Sequence, residues 1–278
     1  MPVQKAGCLR QFHVVNMNKG ISIAGSGNVA THLAKAFFDA GVRIEQIFSR
    51  NLSHAEALAQ KVGARAVDRP ELISNDAGVL ILALPDEAIE PFAAEVYATG
   101  HFDGIVVHTS GTQPTSVLRM FENSGVFYPL QSFSRFSNPL MKEVPFCLEA
   151  VNSETLQHLT SLASLISENV REVCSEQRAV LHLAAVFACN FSNHMYAISA
   201  DLLKDAGIDG SILKPLIRET ANRLTDIHPA LMQTGPAVRG DGSTLEKHQQ
   251  LLENYPVYRE IYKMLSNSIV SANEKTKK

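Results

Sequence analysis

The fold of this chain is decided by residues 20–30, GISIAGSGNVA. The first five residues form an apolar run that predicts a strand, and the residues from Val29 onwards predict a helix with one apolar face. Between them lies the spacing Gly25-x-Gly27-x-x-Ala30. The first glycine allows a tight turn, the second lets the backbone approach a pyrophosphate, and the small third residue lets the helix pack closely on the strand. The helix N-terminus also favours phosphate. The stretch therefore predicts a dinucleotide site, with an ordinary tight turn as the alternative. The residues expected to contact the cofactor here are Gly25, Ser26, Gly27, Asn28 and Val29.

Strands and helices alternate up to about residue 150. Residues 79–84 form a continuous apolar run between Gly78 and Pro85, which is typical of a parallel strand buried on both faces. The alternation predicts an α/β fold, an N-terminal Rossmann-type doubly wound parallel sheet. Further strands are predicted at 44–48, 105–107 and 126–128, and helices at 29–40 and 53–62, the second with Ser53 as its N-cap.

Beyond residue 150 the pattern becomes mostly helical. A helix is predicted at 154–167 and a last strand at 170–173. A long, mostly apolar stretch without glycine or proline follows at 176–203, and we expect it to be buried against other helices or a second subunit. Two more helical segments are predicted at 209–226 and 243–271. The sequence thus predicts two domains, a nucleotide-binding domain at 19–150 and an all-α domain for substrate binding and dimerisation at 151–278.

The composition narrows the class of function. The chain has 278 residues, is 45% hydrophobic and 19% charged, and carries a formal net charge of −3. Such a balance gives no general attraction to nucleic acid or to anionic lipid. No apolar stretch approaches the roughly 20 residues that a membrane span requires. We therefore expect neither a nucleic-acid partner nor a membrane partner. Residues 17–20 resemble the start of a Rossmann protein, so residues 1–16 are interpreted as an extension.

The cysteines are scattered and lack the spacing of a metal site or a disulfide framework. We therefore expect no bound metal, and the free thiols favour a reducing compartment, the cytoplasm. Cys189 lies in the long apolar helix and is interpreted as a small buried residue. The four cysteines are Cys8, Cys147, Cys174 and Cys189.

The end of the second strand predicts which dinucleotide binds. An NAD site usually has a carboxylate there, which accepts a hydrogen bond from the ribose 2′-hydroxyl. Here the sequence is Ser49-Arg50-Asn51, and a guanidinium can pair with a 2′-phosphate. Ser49 and Arg50 therefore favour NADP as cofactor. The alternative is a solvated arginine at a strand end.

The ends of the next strands predict the nicotinamide side of the site, because ligands of open α/β sheets bind beyond the carboxyl ends of the strands. Leu84 and Pro85 are expected to contact the cofactor, and Asp86 to cap the helix that starts at Glu87. His108 is either a general acid–base group or a hydrogen-bonded structural histidine. The turn after it contributes Ser110 and Gly111. The stretch from Tyr128 to Phe133 is expected to line the same cleft and contributes Gln131 and Ser132.

Polar residues on the long helix are candidates for substrate contact. His182, Asn190 and His194 are polar groups on an apolar helix and need partners. They either bind or protonate substrate, or they make hydrogen bonds between helices, including across a dimer interface. Farther along, Arg239 lies in a Gly- and Pro-containing loop and could hold a polar substrate; a plain surface turn is the alternative.

Together these motifs resemble Rossmann-like proteins with a C-terminal domain of unknown function, which are provisionally classed as NADP oxidoreductases. The resemblance runs from about Gly20 to Tyr262. It places the chain among relatives similar to 6-phosphogluconate dehydrogenase and pyrroline-5-carboxylate reductase, with a C-terminal domain like that of the former. It implies that the helical domain packs on the cofactor site and forms a homodimer. In the hydroxyacid branch a serine that Ser110 could match binds substrate. The catalytic lysine of that branch is missing, because Val186 stands four residues before Asn190.

The leading hypothesis is an NADP(H)-dependent oxidoreductase that transfers a hydride between nicotinamide and a small polar carbonyl or imine. A non-catalytic NADP(H)-binding sensor or partner-binding protein is the alternative. The expected catalytic residues are His108, Ser110, His182 and Asn190, with Ser110 also near the cofactor. The expected substrate-binding residues are Gly111, Gln131, Ser132, His194 and Arg239.

Overall fold

The computed structural model describes residues 19–224 and 227–276. The interpretations of residues 1–16 and of Cys8 fall outside these residues. The strands are β1 (Gly20–Ala24), β2 (Ile44–Phe48), β3 (Arg65–Val67), β4 (Ala77–Leu82), β5 (Ile105–His108), β6 (Ser124–Pro129), β7 (Phe146–Ala150) and β8 (Val170–Glu172). The helices are α1 (Asn28–Asp39), α2 (Leu52–Val62), α3 (Asp86–Ala98), α4 (Ser153–Ser164), α5 (Ser175–Ala185), α6 (Ser192–Asp205), α7 (Lys214–Arg223), α8 (Pro236–Arg239), α9 (Gly242–Leu251) and α10 (Pro256–Thr276).

The strands form one sheet in the order β3-β2-β1-β4-β5-β6-β7-β8. Neighbouring strands from β3 to β6 are parallel, β7 is antiparallel to β6, and β8 is parallel to β7. The strand order reverses between β1 and β4, and this reversal opens a crevice at the carboxyl ends of the two strands. The predicted Rossmann-type sheet and the helical C-terminal part are confirmed.

Each face of the sheet carries its own core. Along β4, Val79 and Ile81 join one hydrophobic cluster, whereas Leu80 and Leu82 join the other. This division follows from the alternation of side chains along a strand. The prediction that this run is buried on both faces is therefore confirmed. Helices α1, α2 and α4 cover one face, and α3 covers the other.

Two strands were not predicted. β3 has only three residues and starts with Arg65, so it is too short for a periodic signal. β7 continues the sheet in the opposite direction after β6, and this reversal depends on pairing between distant segments. The helix after β2 is capped by Asn51, whose side chain accepts from the amide of Ser53 at 3.1 Å. The prediction of Ser53 as the N-cap is therefore wrong, because the helix starts at Leu52.

Helical backbone continues from α5 through a six-residue π-helical stretch, Val186–Phe191, into α6. The chain divides into two compact units within this stretch, one ending at Cys189 and the other starting at Asn190. The predicted division after residue 150 stays a prediction, although β8 extends the sheet beyond it. In the second unit, Tyr255, which precedes α10, and Tyr258 within α10 donate hydrogen bonds to Asp205 and Asp201 of α6.

Within the single chain the long helix is largely exposed, so its expected packing against other helices is not found there, and burial against a second subunit stays a prediction. Of the residues in α5, only Arg178 is buried, while Val180 and Leu183 are 68% and 58% exposed. Phe187 in the π-helical stretch is 62% exposed. An apolar sequence indicates that a helix needs a partner, but it does not say whether that partner lies in the same chain. In the part of the chain that the structure describes, no helix is both long and apolar enough to span a bilayer.

Candidate cofactor and substrate site

The turn between β1 and α1 requires its two glycines for different reasons. Gly25 has a φ of 130°, and a Cβ there would lie 2.2 Å from the carbonyl oxygen of Ala83. Its amide donates to the carbonyl of Phe48 at 2.8 Å, which fixes the turn against β2. A Cβ at Gly27 would meet no described atom within 4 Å. Gly25 is thus needed to make the turn, while Gly27 leaves open space at the start of α1 where a phosphate can approach the backbone.

The loop after β2 borders the same turn. Ser26 Oγ donates to Ser49 Oγ at 3.1 Å, which joins the glycine loop to the end of β2. Arg50 is exposed and makes no hydrogen bond or ion pair with the described residues. Glu45, the nearest carboxylate along β2, is paired with Arg43. The end of β2 therefore offers a free guanidinium and hydroxyls rather than a carboxylate, and these groups fit a 2′-phosphate.

A groove of about 840 Å³ runs along these residues. It is lined by the glycine loop, by Ser49 and Arg50, and by Leu84 and Pro85 after β4. His54 on α2 adds an imidazole, and Asp68, Glu87 and Glu95 add carboxylates. The groove has the lining expected for the adenosine half of a dinucleotide.

A second groove, of about 540 Å³, continues from the first. The two share Gly27, Ala83, Leu84 and Pro85, so they form one crevice across the reversal point of the sheet. The second groove is also lined by Asn28, Val29, Asp86, Thr109, Ser110, Gly111, Tyr128, Pro129, Gln131, Phe133 and His182. Every residue predicted to contact the cofactor lines one of the two grooves.

His108 lies behind the second groove rather than on it. The side chain is fully buried; its Nδ1 accepts from the Ser110 amide at 3.2 Å, and its Nε2 bonds to the Pro114 carbonyl at 3.4 Å. Burial, helped by the nearby Arg178 cation, lowers the pKa of His108 from 6.5 to about 4. The neutral imidazole therefore ties the two ends of the 110–114 turn together. This is the geometry of the structural alternative, with both nitrogens occupied.

Ser110 has a similar anchoring role. Its hydroxyl accepts from the amides of Thr112 at 3.1 Å and Gln113 at 3.0 Å. The Thr112 hydroxyl in turn donates to Asp86. Asp86 is the first residue of α3, and Pro85, not Asp86, occupies the N-cap position. The prediction of Asp86 as N-cap is therefore wrong, because its carboxylate bridges to the turn after β5.

On the far wall of the second groove, Tyr128 and His182 form a hydrogen-bonded pair. Tyr128 Oη lies 3.0 Å from His182 Nδ1, and the ring centroids are 6.0 Å apart in an edge-on arrangement. Gly111 packs against the same imidazole: a Cβ there would lie 2.5 Å from Nδ1. Burial raises the pKa of Tyr128 to about 12. The sequence indicated that the stretch from Tyr128 onwards lines the cleft, but not this pairing.

The sequence also did not indicate the buried Arg178. Its guanidinium is 0% exposed and donates to Glu149, to the Gln113 carbonyl and to Ser175. Burial raises the pKa of Glu149, but hydrogen bonds with Arg178 and Ser175 and the charge of Arg178 lower it more, so the net pKa is below its usual value. Arg178 therefore joins α5, β7 and the turn after β5, three elements behind the second groove.

The remaining predicted residues differ in placement. Ser132 hydrogen-bonds Cys189, with Oγ and Sγ 3.0 Å apart. Cys189 is exposed, and so are its neighbours at 187–190, so the expectation of a buried cysteine is wrong. Asn190, His194 and Arg239 belong to the second compact unit, and their roles stay predictions.

Fold and site together define a dinucleotide-binding protein of the Rossmann class, with a second groove next to the cofactor crevice. Comparison with known protein families agrees with this class. Residues 20–110 match the family described as NADP oxidoreductase, coenzyme F420-dependent. Residues 144–269 match a domain of unknown function, DUF2520.

Solved structures narrow the class further. BF3122 from Bacteroides fragilis, provisionally described as an NADP oxidoreductase, is 39% identical, with 91% of this chain and 98% of that chain covered and a TM-score of 0.87. This chain therefore belongs to that family of Rossmann-like NADP oxidoreductases with a DUF2520 domain. An imine reductase from Myxococcus stipitatus in complex with NADP⁺ is 15% identical, with coverages of 93% and 94% and a TM-score of 0.62. A reductive aminase from Aspergillus terreus in complex with NADPH and ethyl-5-oxohexanoate is 14% identical, with coverages of 92% and 94% and a TM-score of 0.66. The last two share the fold. No curated protein matches the sequence significantly.

Proposed function

We propose that this protein is an NADP(H)-dependent oxidoreductase that transfers a hydride between nicotinamide and a small polar carbonyl or imine compound. The observation that carries the proposal is the continuous crevice. At one end are the glycine turn and a free Arg50, and at the other is a hydrogen-bonded pair of proton-carrying side chains. A cofactor lying along the crevice would put its reactive end beside that pair.

In this proposal the amides of the glycine turn and of Asn28 and Val29 bind the pyrophosphate. Ser49 and Arg50 bind the 2′-phosphate, because a guanidinium forms charge-assisted hydrogen bonds with phosphate. Leu84 and Pro85, which line both grooves, contact the middle of the cofactor. The bound cofactor supplies the hydride, and the protein supplies orientation and the proton.

At the substrate end, Ser110, Gly111 and Gln131 line the second groove beside His182. We assign the acid–base role to the side of the groove that carries His182, and a scaffolding role to His108, because both nitrogens of His108 are occupied. Asn190, His194 and Arg239 from the second unit, together with Ser132, remain candidates for substrate contact. The imine reductase and the reductive aminase support carbonyl and imine compounds as the first substrates to try, on likeness of fold.

The exposed apolar side chains of α5 and the π-helical stretch support a homodimer as the working assembly, and the scattered cysteines support the cytoplasm as its compartment. Buried in a second subunit, Val180, Leu183 and Phe187 would lose the apolar surface that they expose in the single chain. Light scattering at micromolar concentration tests this, and a monomeric mass would contradict it.

The cofactor is tested by thermal-shift titration with NADPH, NADP⁺, NADH and NAD⁺ in parallel. A ligand at 100 times its Kd stabilises by about 2.7 kcal/mol, which gives a clear rise in Tm. We expect the rise with the phosphorylated pair. A panel of aldehydes, ketones and cyclic imines is then tested for NADPH oxidation at 340 nm. No rise in Tm with any nucleotide would refute the cofactor assignment.

The second candidate is a non-catalytic NADP(H)-binding sensor or partner-binding protein. Val186 favours it, because it stands where the hydroxyacid relatives carry a catalytic lysine. Tight binding of NADPH without turnover of any compound of the panel would support the sensor and contradict the oxidoreductase.

A further inference from the structure

Of the groups on the second groove that can carry a proton, most are committed to the scaffold. Ser110 accepts two backbone amides, and the carboxylate of Asp86 accepts from Thr112. Both nitrogens of His108 are bonded behind the groove. Tyr128 and His182 line the groove and are bonded to each other at 3.0 Å.

We propose that Tyr128 is the catalytic proton donor of the reduction and that His182 reprotonates it afterwards. This inference rests on the proposed function. Tyr128 is only 8% exposed and packs with Val126 and Cys147, and it lines the second groove. A donor held on a strand with its ring buried keeps a fixed position, which proton transfer in the transition state requires.

In the proposed reduction, each bond that forms is matched by a bond that breaks. The substrate carbon receives the hydride that the cofactor supplies, and the π electron pair of the C=O or C=N bond moves to the heteroatom. The phenolic O–H bond of Tyr128 breaks as a new O–H or N–H bond forms on the substrate. The phenolate is then reprotonated through His182: the Nδ1–H bond breaks as the phenolic O–H bond re-forms, and the imidazole takes up one proton from solvent.

The surroundings of Tyr128 suit this role. Burial raises the pKa of Tyr128, while the Arg178 cation acts in the opposite direction. The phenol is therefore protonated at neutral pH, and the cation favours the phenolate that forms during transfer. An alkoxide product is more basic than a phenolate, so the transfer is downhill.

Gly111 sets the geometry of the pair. The imidazole of His182 occupies the place where a Cβ at Gly111 would lie, with Nδ1, Cγ and Cβ all within 3.0 Å of it. An alanine would push His182 away from Tyr128 while leaving both side chains present. Gly111→Ala therefore separates the loss of the pairing from the loss of a group.

The test compares Tyr128→Phe, His182→Gln and the double variant with wild type. Tyr97→Phe on α3 is the control, because it removes the same hydroxyl from a residue that is 56% exposed and lies outside the lining of both grooves. General acid catalysis contributes roughly 10²–10⁴ in rate, so we expect Tyr128→Phe to lose about that factor in kcat with the best compound of the panel. The loss of kcat should be smaller in His182→Gln. In the double variant it should be no larger than in Tyr128→Phe, because the effects of residues that act as a unit are non-additive. Thermal shifts with NADPH should be unchanged in all four.

A second measurement needs no substrate. With tyrosine labelled by ¹³C at Cζ, the Tyr128 signal is assigned by its loss in Tyr128→Phe. His182→Gln and Gly111→Ala should move this signal, and Tyr97→Phe should leave it in place. If neither His182→Gln nor Gly111→Ala changes the chemical shift of Tyr128, the pairing is overturned.

The outcomes separate this inference from the proposed function. Turnover by Tyr128→Phe within threefold of wild type, or a more severe loss in His182→Gln, would overturn Tyr128 as donor and leave the oxidoreductase standing. Wild type that binds NADPH but reduces none of the panel would refute the proposed function and the donor role with it.

Discussion

Replacing Arg178 by methionine tests whether one buried cation holds the substrate end of the crevice together. Methionine keeps most of the apolar length of the side chain but removes the charge and the donors to Glu149, Gln113 and Ser175. Breaking a buried ion pair by removing one partner costs about 3–5 kcal/mol. Glu149 is 23% exposed, so water can partly solvate the carboxylate that is left. We therefore expect the lower end, about 3 kcal/mol.

The assay is urea unfolding of wild type and variant at pH 7.5. Arg119→Met is the matched control, because Arg119 pairs with Glu90 on the surface and is 70% exposed. An exposed pair is worth about 0–1 kcal/mol. If Arg178→Met lies within 1 kcal/mol of the control, the buried pair does not have the structural weight that we assign to it.

For the same variant we also predict the direction in which the pH dependence of stability changes. In wild type the pKa of Glu149 is below its usual value, so its contribution to stability is present above the unfolded pKa and is lost as pH falls through the folded one. Without Arg178 the burial effect, which raises the pKa, is opposed only by hydrogen bonds to neutral groups. The acid-dependent loss from this residue should then shrink or change sign. An identical pH dependence in both proteins would refute the reasoning.

Three further predictions concern the cofactor end and the scaffold. Arg50→Ala should weaken NADPH binding by a charged hydrogen bond, about 1.5–3 kcal/mol, and leave NADH unchanged; parallel Kd measurements decide, and equal losses would contradict the 2′-phosphate assignment. Gly25→Ala should lower Tm strongly because its Cβ meets Ala83, whereas Gly27→Ala should keep the Tm of the free protein and weaken the nucleotide-induced shift; equal Tm losses would argue against separate roles. His108 has a pKa lowered to about 4, so its contribution to unfolding free energy is full above about pH 6.5 and lost as pH falls towards 4. His108→Gln should remove part of this dependence, and an unchanged pH profile would speak against it.

The predictions for the cofactor end rest on signals that are local in the sequence. The turn at Gly25 and Gly27 lies within a few residues, and the charge that follows β2 is read directly from Arg50. The open space at Gly27 and the free guanidinium are both found in the structure. In each case the relevant backbone conformation or charge belongs to one short segment.

The substrate end could be predicted only in part because its contacts join distant segments. Tyr128 and His182 are 54 residues apart, and their contact depends on the path of the chain through the unpredicted strand β7. A tyrosine at a strand end and a histidine on a helix each have many possible partners. No spacing rule links them. From the sequence, His182 was predicted as a catalytic candidate and Tyr128 only as a residue that lines the cleft.

Burial was the least predictable property. Arginine is almost never fully buried unless it is paired, and its partner Glu149 lies on β7, so nothing local indicated that Arg178 would be 0% exposed. Conversely, the apolar stretch around Leu183 and Cys189 was expected to be buried and is exposed. In both cases the pattern states what a side chain needs, and only the tertiary structure states where the partner lies.

The two ends of the crevice therefore differ in how freely they can change. The proposed cofactor end depends on backbone geometry at Gly25 and on the exposed guanidinium of Arg50. The substrate end depends on a chain of contacts: Arg178 holds the Gln113 carbonyl, the same turn presents Gly111, and Gly111 leaves room for His182 to meet Tyr128. A change at any link moves the hydroxyl or the imidazole relative to the cofactor. It follows that substitutions in the turn after β5 should alter catalysis more than nucleotide binding, even where they touch neither ligand.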